Sequence, residues 1–154
     1  MKLSFVAGFG PIVRDVEASH EFWSQGLGIT VNEISAGYFA TDDVDGVKHF
    51  SLWPLSEAAE NTFGTPEWPA DVPVPQAGIE FDVESPGAVA EAVDELASKG
   101  YRILRPARLE QWQQTTARLL SPEGLLVGIA YTPWMHEGSE TSDESSEGSP
   151  PDSA

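Results

Sequence analysis

The chain has 154 residues, 40% of them hydrophobic, and carries 25 Asp and Glu against 8 Lys and Arg. A formal charge of −17 argues against nucleic acid and anionic membrane surfaces as partners, because both repel such a chain. With no cysteine, disulfide frameworks and thiolate metal sites are excluded, and no apolar run is long enough to cross a bilayer, so a cytoplasmic location is expected.

The first apolar run, Leu3 to Val13, follows a single lysine and soon meets Gly8 and Pro11; it is too short for a signal peptide and reads as a strand. Asp15 is an expected N-cap for a helix that places Val16, Ser19, Phe22 and Trp23 near one face and closes at Gly26 and Gly28. Three strands follow at Ile29–Ile34, Tyr38–Thr41 and Val47–Trp53, with turns at Gly37 and across Asp42–Gly46. Residues 55–75 contain Pro66, Pro69, Pro73 and Pro75, and are expected to be an irregular linker.

A second cycle starts with a strand at Gln76–Val83. Ser85-Pro86 then opens a helix, with Ser as N-cap and Pro at the first position. Val89, Val93 and Leu96 fall on one helical face, and Gly100 ends it. Strands follow at Tyr101–Leu104, Thr115–Leu120 and Leu125–Tyr131, the last two joined by a turn at Ser121–Gly124. The order βαβββ thus occurs twice, in modules 1–54 and 76–134, and predicts an α+β fold of curved mixed sheets. Residues 135–154 form a Ser-, Glu- and Pro-rich tail expected to be disordered. Without the six acids of 137–154, the remainder holds 19 acids against 8 bases and stays near −11.

The run Val13-Arg14-Asp15-Val16-Glu17-Ala18-Ser19, with Phe22-Trp23 and Leu27-Gly28 behind it, resembles the opening motif of the vicinal-oxygen-chelate superfamily, which includes glyoxalases, bleomycin-resistance proteins and dioxygenases. Gly78–Val83 resembles the strand that opens that superfamily's second module. Ser121-Pro122-Glu123-Gly124 resembles its closing hairpin, with Ser in place of the usual Asp. The resemblance implies four metal-ligand positions, which fall here on Gly8, on or next to Ser51, on Gln76 and on Gly128. Only Gln76 offers a good donor, because glycine has no side chain to coordinate an ion. Leu109-Glu110-Gln111-Trp112-Gln113-Gln114-Thr115 resembles a run in the bleomycin-resistance branch, which lacks the metal ligands and binds rather than transforms, but it has no Gly pair after the tryptophan.

What this implies is a metal-free protein, expected as a homodimer, that holds a cationic or aromatic antibiotic-like small molecule. Trp112, Trp53, Tyr38, Phe39, Gln76, Glu80 and His49 are the candidate ligand-binding residues; Trp112 would supply a stacking face. One alternative is a glyoxalase-type lyase, isomerase or dioxygenase with a divalent ion on His49, Gln76 and Glu80. Without metal, Glu80, Glu33 or Asp82 would then act as a general base. Another is a regulatory module whose acidic tail binds a partner. His20 and His136 are expected to face solvent. No G-x-S-x-G elbow occurs, and Gly8-Phe9-Gly10-Pro11 is no phosphate loop, since no helix starts behind it.

Overall fold

The computed structural model describes residues 1–136. The chain runs β1 (Phe5–Val13), α1 (Val16–His20), β2 (Asn32–Ser35), β3 (Tyr38–Thr41), β4 (Phe50–Pro54), α2 (Leu55–Phe63), β5 (Ala77–Asp82), α3 (Pro86–Ser98), β6 (Ile103–Leu109), β7 (Thr115–Leu120) and β8 (Leu126–Tyr131). All eight strands join one mixed sheet in the order β2-β3-β4-β1-β5-β8-β7-β6, an α+β arrangement. β1 lies parallel to β4, and β5 repeats this with β8. The two halves meet along an antiparallel seam between β1 and β5, which pairs Gly8 with Glu80 and Gly10 with Gly78.

Local chemistry accounts for the helix starts. Asp15 Oδ1 accepts the backbone N–H of Ala18, and Ser85 Oγ accepts that of Ala88, so each cap satisfies a donor that the first turn leaves open. Gly100 ends α3 at φ +91°, in the left-handed region. α1 widens after His20 into a π-helical turn over Glu21–Gly26, where Leu27 donates to the carbonyl of Phe22, five residues back. The wider turn breaks the expected stripe: Trp23 packs on Phe50, while Phe22 is more than half exposed.

Besides β4, which starts at Phe50 rather than Val47, three segments differ from expectation. β2 starts at Asn32 rather than Ile29, because Ile29 and Val31 pack under α1 against the Val13, Phe50 and Leu52 cluster. β6 runs on to Leu109 through Pro106, with irregular pairing between Arg105 and Arg108 where proline has no N–H to give. The linker holds a nine-residue helix, α2, whose Ala58, Ala59 and Thr62 are buried and whose end is Gly64 at φ +81°. Trp68 closes the segment behind it by donating its indole N–H to the carbonyls of Val72 and Pro73.

Strand alternation gives the sheet two unlike faces. On one, Val83, Ala117, Leu119 and Ile129 pack against Val89 and Ala92 of α3, and Val13, Phe50 and Leu52 pack under α1. On the other, Ile12 and Leu126 gather with Ala58 of α2, leaving the middle of that face open. Fully burying each such aliphatic side chain contributes about 1.5–3 kcal/mol. The open middle is floored by glycine. At Gly10 a Cβ would stand 1.8 Å from the Ser51 carbonyl oxygen, so β1 and β4 touch there only because no side chain intervenes. Gly10→Ala is expected to lower the unfolding free energy by about 3 kcal/mol, read as a lower urea midpoint at unchanged m-value.

Candidate functional site

The glycine-floored face holds a cavity of about 560 Å³ lined by residues of both halves. Tyr38 and Trp53 enter from β3 and β4, Glu80 from β5, Arg118 from β7, and Glu57 and Asn61 from α2; Trp112 and Trp134 stand at its rim, each about half exposed.

At its floor Arg118 Nη1 lies 2.7 Å from Glu80 Oε2, with side chains only 8% and 18% exposed. This pair stands where glycine makes room: a Cβ on Gly128 would lie 2.2 Å from Arg118 Nη1 and 3.0 Å from Glu80. Arg118 Nε donates to Asn61 Oδ1 at 3.2 Å, and its guanidinium carbon lies 5.3 Å from the Trp53 ring centre. Glu80 Oε1 accepts Gln114 Nε2 at 2.7 Å; the same amide donates to Thr132 and accepts the indole N–H of Trp112 at 2.9 Å. Gln113 beside it adopts φ +73°, so the turn keeps a glycine-like backbone without the glycine. Gln114, in the second position of the missing Gly pair, fastens the rim tryptophan to the floor.

Behind the floor, Asn61 Oδ1 also receives Arg105 Nη2 at 3.5 Å, and Glu110 holds Arg105 at 3.0 Å and Arg108 at 3.2 Å. Burial, then the neighbouring Arg118, pulls the Arg105 guanidinium down to about 10. Burial opposes ionisation of Glu110, yet hydrogen bonds from Thr116 and Asn61 and the two arginines hold its carboxyl below the usual range.

A second polar chain lies on the opposite wall. Tyr38 Oη is 2.7 Å from His49 Nε2, and His49 Nδ1 is 2.7 Å from Asp42 Oδ1. Burial pushes the Tyr38 phenol up to about 12; a hydrogen bond from Ser51 opposes this, and Glu80, Glu57 and Asp42 add to it. Glu57 has neither hydrogen bond nor ion pair among the described residues, and burial, then Glu60, raises its carboxyl.

Of the residues singled out in the sequence, the cavity brings together Trp53, Trp112, Tyr38, His49 and Glu80. Phe39 does not join them: one position along β3 from Tyr38, it faces the helix layer and stacks on His20 at 4.3 Å. His20 is therefore half-buried rather than solvent-facing. Gln76 is exposed just ahead of β5, outside the cavity, and its carbonyl accepts the Ile12 N–H. Of the three candidate bases, Glu33 sits exposed on β2 and accepts the Gly37 N–H. Asp82 is fully buried at the far end of β5, holding the Thr132 N–H and His136 Nε2 at 2.5 Å. His136 thus packs between Phe5 and Tyr131 rather than facing water. The tail from 137 onward lies outside the described residues. Arg118, Asn61, Glu57 and Gln114 escaped the sequence reading. Two signals were present: Arg118 is the one basic residue in the run Thr115–Leu120, and Leu55, Ala58, Ala59 and Thr62 follow helical spacing up to Gly64.

Whether a divalent ion fits this floor is decided by its donors. Gly8 and Gly128 offer none, Glu80 is neutralised by Arg118, and both ring nitrogens of His49 are engaged. Among the described residues no three of His, Cys, Asp and Glu stand together as a set able to hold an ion. The arrangement does not fit a metal centre on His49, Gln76 and Glu80.

Residues 8–129 match the family model described as the Glyoxalase/Bleomycin resistance protein/Dioxygenase superfamily. No curated protein matches the sequence. Among solved structures, the chain is similar to a superfamily member from Vibrio splendidus 12B01, with TM-score 0.53, 17% identity, and 85% of this chain and 100% of that one covered. It is also similar to a methylmalonyl-CoA epimerase variant from Streptomyces coelicolor in complex with 2-nitronate-propionyl-CoA, with TM-score 0.51, 18% identity, and 85% and 99% covered. A third is a structure from Legionella pneumophila described as an NAD-dependent benzaldehyde dehydrogenase, with TM-score 0.56, 18% identity, and 80% and 96% covered. At these identities the likeness is one of fold.

Two outcomes are expected of the cavity walls. Arg118→Met leaves the Glu80 carboxylate uncompensated and should cost about 3 kcal/mol of stability, much of it recovered in the Arg118→Met/Glu80→Met double variant; urea unfolding of the cycle reads both. The raised phenol of Tyr38 contributes stability that is whole below about pH 10 and lost as the pH climbs toward about 12. Tyr38→Phe should therefore show a shallower loss of urea midpoint across that window.

Proposed function

The chain belongs to the glyoxalase/bleomycin resistance protein/dioxygenase superfamily, and from that premise we propose that it is a metal-free small-molecule-binding protein whose cavity holds a cationic aromatic ligand. The observation that carries this reading is Glu57, a carboxylate with no partner among the described residues, set in a cavity whose walls include Trp53, Trp112 and Trp134. A flat cation answers both features. Its ring stacks on indole, and its charge lies near Glu57 and the exposed Asp42 in a strongly acidic molecule.

The floor supports the same reading. Among the described residues the glycines at 8 and 128 offer no donor and Glu80 is paired with Arg118, which supports recognition by side chains rather than through an ion. A basic glycopeptide antibiotic of the bleomycin type is one concrete occupant of this class. The homodimer and the cytoplasmic setting expected from the sequence belong to the same reading.

The test uses phenacyltrimethylammonium and its neutral isostere 3,3-dimethyl-1-phenylbutan-1-one, followed by tryptophan fluorescence. The cation should quench saturably and bind more tightly than the isostere. Its affinity should fall by about fivefold in Glu57→Gln, by about two- to thirtyfold in Trp112→Ala, and as NaCl rises from about 20 to about 500 mM. Equal affinity for both probes would remove the electrostatic part of the reading; no quenching by either would remove the reading itself.

A further inference from the structure

Asp82 is fully buried although it lies outside the cavity. It stands two positions after Glu80 on β5, hence on the same face of the sheet, near the end of the paired strand β8. Burying a carboxylate is costly unless hydrogen bonds meet it, and here both oxygens are met by the chain that follows β8. Oδ2 accepts the backbone N–H of Thr132 at 2.8 Å, and Oδ1 lies 2.5 Å from His136 Nε2. Between those two points the chain makes one helical turn, residues 133–136, and none of the four is buried. Trp134 and Met135 of this turn line the cavity, with Trp134 about half exposed. The turn therefore has little apolar burial to hold it, and the contacts with Asp82 fix its two ends. Phe5 and Tyr131 seat His136 further, with ring centres 5.4 and 4.8 Å from its own.

We infer that Asp82 and His136 are positioning residues of the binding site: their hydrogen bond latches the turn 133–136 against the sheet and holds the Trp134 indole at the cavity rim, where it stacks on the flat cation. The inference rests on the binding reading above and adds to it two residues that touch no ligand. Trp112, another rim indole, is tethered separately, through Gln114 to Glu80. Loss of the latch therefore frees one indole and leaves the other in place. Such an arrangement also accounts for a carboxylate buried beside the site without entering it. Asp82 organises the wall from behind, as Gln114 does for Trp112.

His136→Ala should weaken phenacyltrimethylammonium binding in the quenching titration by about two- to thirtyfold, the loss of one stacking face. His136→Gln, whose amide donates or accepts at similar reach, should recover most of it. Trp134→Ala should cost as much, and the Trp134→Ala/His136→Ala double variant no more than either alone, because the histidine acts only through the indole. Labelling with 5-fluorotryptophan adds a readout that needs no ligand. Of the five tryptophan resonances, the one lost in Trp134→Phe should shift and narrow in His136→Ala and return in His136→Gln, with the others unmoved. A Trp134 resonance unchanged by His136→Ala overturns the latch, whatever the probe does. Three results overturn the route from His136 to the ligand and leave the binding reading standing: wild-type affinity in His136→Ala, His136→Gln binding no tighter than His136→Ala, or additive losses in the double variant. Absence of quenching in the wild type removes the binding reading and the inference with it.

Discussion

The arrangement depends on bare backbone at the centre of the sheet. Gly8 and Gly10 on β1, Gly78 on β5 and Gly128 on β8 leave the middle of one face without side chains. Because Gly10 has no Cβ, β1 can lie against Ser51 of β4. Because Gly128 has none, a guanidinium can lie flat on the floor. Glycine in a strand interior weakens the strand, since it gives up more backbone entropy and packs nothing. Here the same lack of side chains creates the space in which Arg118 pairs with Glu80.

Once two charges lie on that floor, much of the surrounding polar structure follows from the need to satisfy them. A buried ion pair roughly repays its own desolvation only if its remaining donors and acceptors are met. Asn61 meets Nε of Arg118 and Gln114 meets the second oxygen of Glu80. Each then ties the floor to something else: Asn61 to the Arg105–Glu110 cluster and α2, Gln114 to the rim tryptophan and Thr132. Floor, wall and rim are thus one connected hydrogen-bonded unit, and the opposite wall, Tyr38 to Asp42, is a separate one.

Much of the fold was legible because its signals are local. Asp15 and Ser85 are capping residues in the right places, Gly100 stops a helix, and apolar runs mark the strands. The repetition of one unit pointed to the two halves. What was not legible depended on contacts far apart in sequence. Phe39 and Tyr38 are neighbours on one strand, and composition alone does not say which of the two faces a helix layer. α2 was hidden by the prolines that follow it and by a modest apolar stripe made largely of alanine. Arg118 becomes meaningful only when β7 is placed beside β8, which brings it over Gly128, 10 residues on. His136 and Asp82 meet across 54 positions.

The seam between the halves also bears on how the molecule assembles. β1 is made first, yet both of its neighbours in the sheet come late: β4 begins at residue 50 and β5 at residue 77. The strand at the heart of the sheet therefore waits, apolar and without a partner on either side, until β4 and then β5 have followed it. Closing such long loops is entropically slow, and an unpaired apolar strand is open to the edges of other chains. A high proportion of distant pairings predisposes this chain to slow refolding. Its surplus of negative charge keeps neighbouring copies apart during that interval, so the acidity of the chain also guards this strand while it is unpaired.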